Sequence, residues 1–191
     1  MRTGRKLRSL LSALAGAAAL FSATSAGADS SARQAVDPRA ELAMRLVGAH
    51  NQIRSAAAVR PTAWDAELAA SADAYAAELA QSDKFAHSAG TSRPGQGENL
   101  WRGTRGGFTI ERMVSDWGSE KRMFRAGRFP NVSTTGRWED VGHYTQIIWA
   151  DTLRVGCAVR ASRSYDYLVC RYAQSGNVFG QTVGAPLMAS R

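Results

Sequence analysis

The amino-acid sequence predicts an α+β domain, and three observations carry that expectation. Amphipathic helical segments fall between residues 37 and 124, strand-like stretches holding both cysteines fall between 154 and 172, and a short apolar leader precedes them.

In the leader, Arg2, Arg5, Lys6 and Arg8 stand before the apolar run SLLSALAGAAALFSA, which ends in small residues including Ala26-Gly27-Ala28. This is the order of a secretory signal peptide, with cleavage expected after Ala28. The run is shorter than the about 20 apolar residues of a membrane-spanning helix, so no transmembrane anchor is expected once residues 1–28 are removed. The protein is therefore expected to be secreted, with residues 29–36 a loose polar leader and 37–191 a single domain long enough to bury a core. Loss of the four leader cations lowers the formal net charge from +8 to +4. That mild excess, without a Lys/Arg run or basic residues interleaved with aromatics, speaks against a nucleic-acid partner.

The first helix starts at Asp37-Pro38, a capping residue followed by proline at the first helical position. Leu42, Leu46, Ala49 and Ile53 follow at helical spacing, and Arg60-Pro61 marks the stop. The second, WDAELAASADAYAAELAQS, sets Leu68, Ala72, Tyr75 and Leu79 on one stripe. The next segment, KFAHSAGTSRPGQGENLWRGTRGG, is rich in Gly, Ser and Pro and predicts an irregular connection of more than twenty residues, an uncommon length that usually serves function. Phe85, Leu100 and Trp101 give it something to bury, and it contains His87 and Glu98. The third helix, FTIERMVSDWGSEKRMF, aligns Ile110, Met113, Trp117 and Phe124, with Glu120 in a gap of the same stripe. A carboxylate there either reaches water at the stripe's edge or needs a partner.

At the C-terminal end, Val155, Cys157 and Val159 share one strand face, as do Leu168, Cys170 and Tyr172. A hairpin turning near Arg163-Ser164 sets Cys157 opposite Cys170, and in an oxidising compartment the two are expected to pair. Closing so short a loop is worth about 3 kcal/mol in the chain-entropy model. A metal or redox pair would need closer cysteine spacing.

His143 opens a further apolar segment. Together with His87, Glu98 and Glu120 it makes two imidazoles and two carboxylates on separate segments. Such a set suits metal ligation or acid-base chemistry if it converges, which spacing alone does not show, and no H-E-x-x-H motif is present.

Two stretches bear a resemblance. GHYTQIIWADT (142–152) followed by VGCAV, and YLVCRYAQSGN (167–177), resemble the two signatures of the CAP superfamily, the cysteine-rich secretory, antigen 5 and pathogenesis-related 1 proteins. AHNQIR (49–54), FAHS (85–88), GENLW (97–101) and DWGSE (116–120) resemble its remaining marks, in the family's order, so that residues 40–183 are covered. The resemblance implies an α-β-α sandwich with a small antiparallel sheet between helical layers. It also implies a cleft in which His87, Glu98, Glu120 and His143 bind a divalent metal, zinc foremost, and it leaves His50 a structural residue.

As function the resemblance implies a non-enzymatic extracellular binding protein, recognising a lipid or sterol or an extracellular protein or cell-surface target. Phe124, Phe129 and Trp138 are the candidate lipid contacts, with core filling as their alternative role. The alternative function is a protease-like hydrolase, in which Glu98, Glu120 and His143 serve a metal-bound water or a nucleophile such as Ser88. A purely structural role for the four polar residues is the third possibility. Two features depart from the family: Gln174 stands in the second signature where proline or another small set of residues is usual, and the additional disulfides and cysteine-rich tail of many eukaryotic members are absent. The sparse cysteines and Ala-rich leader suggest a bacterial secreted member.

Overall fold

A computed structural model describes residues 37–184. The expected signal peptide (1–28), the polar leader (29–36) and the last seven residues of the expected domain lie outside the described residues.

Helix α1, Pro38–Ala56, begins as its sequence dictates: Asp37 Oδ1 accepts from the Arg39 backbone N–H at 2.9 Å, and Pro38 occupies the first turn, where its missing donor costs nothing. Helix α2, Ala66–Ser82, is capped by Asp65, which accepts from the N–H groups of Glu67 and Leu68. It buries Leu68, Ala72, Ala76 and Leu79, and Tyr75 of the expected stripe stands half-buried with its hydroxyl donating to the Ala86 carbonyl.

The third expected helix is divided. Helix α3 spans Ile110–Gly118, and a tighter 3-10 turn covers Ser119–Met123. Gly118 lies at the junction, where a Cβ would stand 2.8 Å from Ile53 Cδ1, so its bare backbone lets α1 come close. The change from 3.6 to three residues per turn rotates Glu120 off the α3 stripe. Helix α4, Gly142–Ile147, follows a 3-10 turn at Trp138–Val141.

Strand β1 (Ala63–Trp64), β2 (Gly97–Thr104), β4 (Arg154–Ala161) and β5 (Tyr165–Ala173) form one sheet in the order β1-β4-β5-β2, while β3 (Gly127–Arg128) and β6 (Thr182–Val183) make a separate ribbon. The expected irregular connection thus contains a strand. Gly97 to Trp101 are all buried, so β2 lacks the alternation that reveals a one-sided strand. The β4–β5 and β5–β2 pairs are antiparallel, but the two-residue β1 lies parallel to β4, which makes the sheet mixed rather than wholly antiparallel. Cys157 faces Cys170 across the hairpin and the two form a disulfide.

Both sheet faces are covered, which gives the α-β-α layering. On one face α2 packs on Leu100, Ala158, Tyr167 and Val169. On the other, Leu46, Met113, Trp117, Tyr144 and Ile147 from α1, α3 and α4 meet Val155, the disulfide, Leu168 and Tyr172. Gly156 sets the close approach of α2 to β4, because a Cβ there would fall 2.1 Å from the Ala69 nitrogen. No helix among the described residues is long and apolar enough to cross a membrane.

Candidate metal centre

Three segments that the sequence keeps apart meet at one cleft of ≈ 490 Å³. Its lining includes His87, Arg93 and Glu98 on one side and Trp138, Glu139 and His143 on the other, with Asn99, Gln146 and Asn177 completing it.

His87 leans on Glu98. Its Nδ1 lies 2.7 Å from Glu98 Oε1, and the Ser88 N–H donates to the same oxygen at 3.0 Å. The second oxygen accepts from Ser88 Oγ at 2.9 Å and pairs with Arg171 at 2.8 Å. Burial alone would raise the Glu98 carboxyl, but the His87 hydrogen bond, the Arg171 charge and the two Ser88 bonds outweigh it and hold it below the usual carboxylate range. An ionised Glu98 only accepts, so His87 donates from Nδ1, which leaves Nε2 as the ring nitrogen open to a further partner.

His143 leans on Glu120 in the same way, with Nδ1 2.6 Å from Oε1. Glu120 Oε2 accepts the backbone N–H groups of His143 and Tyr144, both at 3.0 Å, so one side chain anchors the imidazole and the start of α4. Trp117 stacks on the His143 ring with centroids 5.9 Å apart, and the Asn99 amide donates to the His143 carbonyl. Among the described residues neither His87 nor His143 has a hydrogen-bond partner at Nε2.

The four residues therefore form two His–Glu pairs along one cleft, not a closed cage. Ligand atoms of at least three of them do not come within 4.8 Å of one another; among the described residues that criterion is met by His50 with Cys157 and Cys170. There both sulfurs are engaged in the disulfide and offer no thiolate. His50 is spent as well: Nδ1 donates to the Leu46 carbonyl at 2.7 Å, and Nε2 accepts from the Tyr172 hydroxyl at 2.9 Å. Burial lowers the His50 imidazole to about 4, against the Leu46 hydrogen bond and with help from the nearby Arg54 charge.

Ser88, the candidate nucleophile, is 9% exposed, and its hydroxyl donates to Glu98 while accepting from Arg93 and Arg171. Among the described residues no imidazole is hydrogen-bonded to it. Of the candidate lipid contacts, Phe129 is 1% exposed and packed among Trp138, Trp149 and Phe179, so it fills the core and presents no groove. Phe124 is half-buried against Tyr144, and Trp138 forms part of the cleft wall. Three charged residues of the site, Arg93, Arg171 and Glu139, escaped the sequence reading. Arg171 carried a usable signal, a cation inside a buried apolar strand, and Glu139 stands four residues before His143.

The donor set fits a divalent cation: two imidazoles, each fixed by a carboxylate at Nδ1 and presenting Nε2 to a shared cleft, are the arrangement in which metal-ligating histidines are normally held.

Known proteins agree with this architecture. The family model described as "CAP: Cysteine-rich secretory protein family" matches residues 47–172. The pathogenesis-related protein PR-1 type of Sambucus nigra is 37% identical over 136 residues, covering 71% of this chain and 77% of the relative. Pathogenesis-related protein 1C of Nicotiana tabacum is 36% identical over 135 residues, covering 70% and 76%. The crystal structure of NaASP2 with Zn2+ superposes with a TM-score of 0.63 at 26% identity, covering 78% of this chain and 87% of that one. With the α-β-α layers and these likenesses in agreement, the chain belongs to the CAP, or cysteine-rich secretory protein, family.

Proposed function

We propose that this is a secreted, non-enzymatic binding protein whose cleft holds a divalent cation, zinc foremost, through Nε2 of His87 and His143. The observation that carries the proposal is the pairing of each imidazole with its own carboxylate, which leaves both Nε2 atoms free at one cleft. Glu98 and Glu120 act behind the ligands, fixing tautomer and ring orientation and raising ligand basicity. The NaASP2 structure solved with Zn2+ supports the choice of metal. Secretion is supported by the leader's signal-peptide pattern and the family relationship. When bound, such an ion supplies a Lewis acid and a cross-link between the two cleft walls.

Lipid or target recognition, the second part of this function, draws support from a different surface than Phe129. A pocket of ≈ 300 Å³ between α1 and α3, where Ala49, Ile53 and Ala56 meet Gln52, Glu111, Ser115 and Lys121, is the place the geometry favours for a ligand with both apolar and polar groups. The nucleophile form of the hydrolase alternative finds less support, because the Ser88 hydroxyl is committed to Glu98 rather than to an imidazole.

Metal content and zinc affinity of the purified protein, measured beside His87→Ala/His143→Ala, test the metal site. We expect one equivalent bound by wild type and none by the double variant. Zinc at 100 times its Kd should stabilise the wild type by about 2.7 kcal/mol. Equal binding by both proteins would remove the histidines from the site.

A further inference from the structure

Glu98 and Glu120 are the obvious carboxylates of the cleft, and their oxygens are already engaged. Glu98 accepts from His87 and Ser88 and is ion-paired with Arg171, and Glu120 accepts from the His143 ring and from two backbone N–H groups. Glu98 has two partners on each oxygen, and Glu120 keeps one open acceptor site, on the Oε1 that already holds the His143 ring.

Glu139 is different. Its side chain lines the same cleft, is exposed, and has neither a hydrogen bond nor an ion pair among the described residues. Asp140 beside it is held by the Thr135 hydroxyl at 2.6 Å. Glu139 lies in the 3-10 turn that runs into α4, four residues before His143. Both side chains line the cleft. The carboxylates of Glu98, Glu120 and Glu139 outnumber the guanidinium groups of Arg93 and Arg171 at and behind the cleft walls.

We propose that Glu139 supplies the third protein ligand of the divalent-cation site, beside Nε2 of His87 and Nε2 of His143. The inference rests on the metal reading above. Two imidazoles leave a four-coordinate ion at least two positions short, and an unpaired carboxylate on the same wall as His143 is the donor that zinc accepts most readily after imidazole and thiolate. The three donor atoms do not stand within 4.8 Å of one another in the structure, so an ion assembles the site by turning exposed side chains. Glu139 is exposed and the His87 side chain is 55% exposed, which leaves both free to turn. Glu98 and Glu120 remain behind the histidines throughout.

The test is zinc titration of wild type, Glu139→Gln and His87→Ala/His143→Ala by calorimetry and chelator competition. The visible spectrum of the cobalt-loaded proteins reports the ligand set, and melting in chelator reports the fold. Glu139→Gln should keep the metal-free melting temperature, weaken zinc by roughly tenfold or more, and alter the cobalt spectrum. Wild-type affinity and an unchanged cobalt spectrum in Glu139→Gln, with binding still lost in the double histidine variant, would overturn the Glu139 assignment and leave the metal site standing. Absence of zinc binding in the wild type would overturn both.

Discussion

The two histidine–glutamate pairs look alike at the imidazole and differ behind it. On one wall the Glu98 side chain is fully buried, held by Arg171, which is 3% exposed, and by Ser88, while His87 reaches into solvent. On the other, the Glu120 side chain keeps 17% of its exposure and is held by the first backbone N–H groups of α4, while His143 is stacked on Trp117. One pair is oriented by a buried ion pair and the other by a helix start. A buried ion pair is costly to break, because removal of one partner strands the other charge in the interior. Hydrogen bonds from backbone donors that water can reach cost less to lose.

Arg171→Met is the sharpest way to break that asymmetry. It leaves the buried Glu98 carboxylate with Ser88, His87 and the more distant Arg93 guanidinium at 3.9 Å, and it removes the guanidinium that stacks over the Tyr75 ring at 5.2 Å. The expected loss is about 3–5 kcal/mol in denaturant unfolding near neutral pH. Adding Glu98→Gln should recover part of that loss, since the stranded charge is then gone. If Arg171→Met cost no more than an ordinary surface substitution, the two walls would be energetically equivalent and the contrast would collapse.

His50 is the limiting case, an imidazole with no carboxylate at all. Burial holds it neutral down to about pH 4, whereas in the unfolded chain it takes up a proton near 6.5. Between those values the unfolded state binds more protons, so stability rises with pH through the window and falls on acidification. The full effect, present above pH 6.5 and gone below 4, is roughly 3 kcal/mol. His50→Gln should flatten this part of the stability profile, as measured by unfolding at pH 7, 5.5 and 4.5. A slope that persists unchanged in His50→Gln would show that His50 is not its source.

The hairpin was legible in the sequence because two independent signals coincide there: Cys157 and Cys170 fall in register, and Val155, Leu168 and Tyr172 mark the buried face. Strand β2 was hidden because Gly97 to Trp101 are buried together, and its glycines, with the Gly/Ser/Pro run before it, look like a loop. The break after Gly118 was hidden too, since Phe124 continues the apparent period of α3. In the site, motif resemblance named His87, Glu98, Glu120 and His143, but residue identity does not say which carboxylate stands behind an imidazole and which faces the cleft. Phe129 shows the same limit: an aromatic in a polar segment reads as surface until Trp138, Trp149 and Phe179 are seen to enclose it.

Glu120→Gln probes the weaker wall with the smallest expected effect. The amide keeps an oxygen for the backbone N–H groups of His143 and Tyr144, but it replaces charge-assisted bonds by neutral ones, about half as strong. Stability should fall by only about 1 kcal/mol. Zinc affinity should fall further in proportion, by roughly tenfold, because the amide holds the His143 ring less firmly and no longer raises its basicity. Comparison of Glu120→Gln with Glu98→Gln, each by unfolding and by zinc titration, then separates orientation from stability. If the hypothesis of two differently built walls holds, Glu98→Gln disturbs the fold more than Glu120→Gln while both weaken zinc, since the buried Arg171 loses its counter-charge only in the first. Equal losses of stability in the two variants would mean that the start of α4 is as demanding a partner for a carboxylate as a buried arginine.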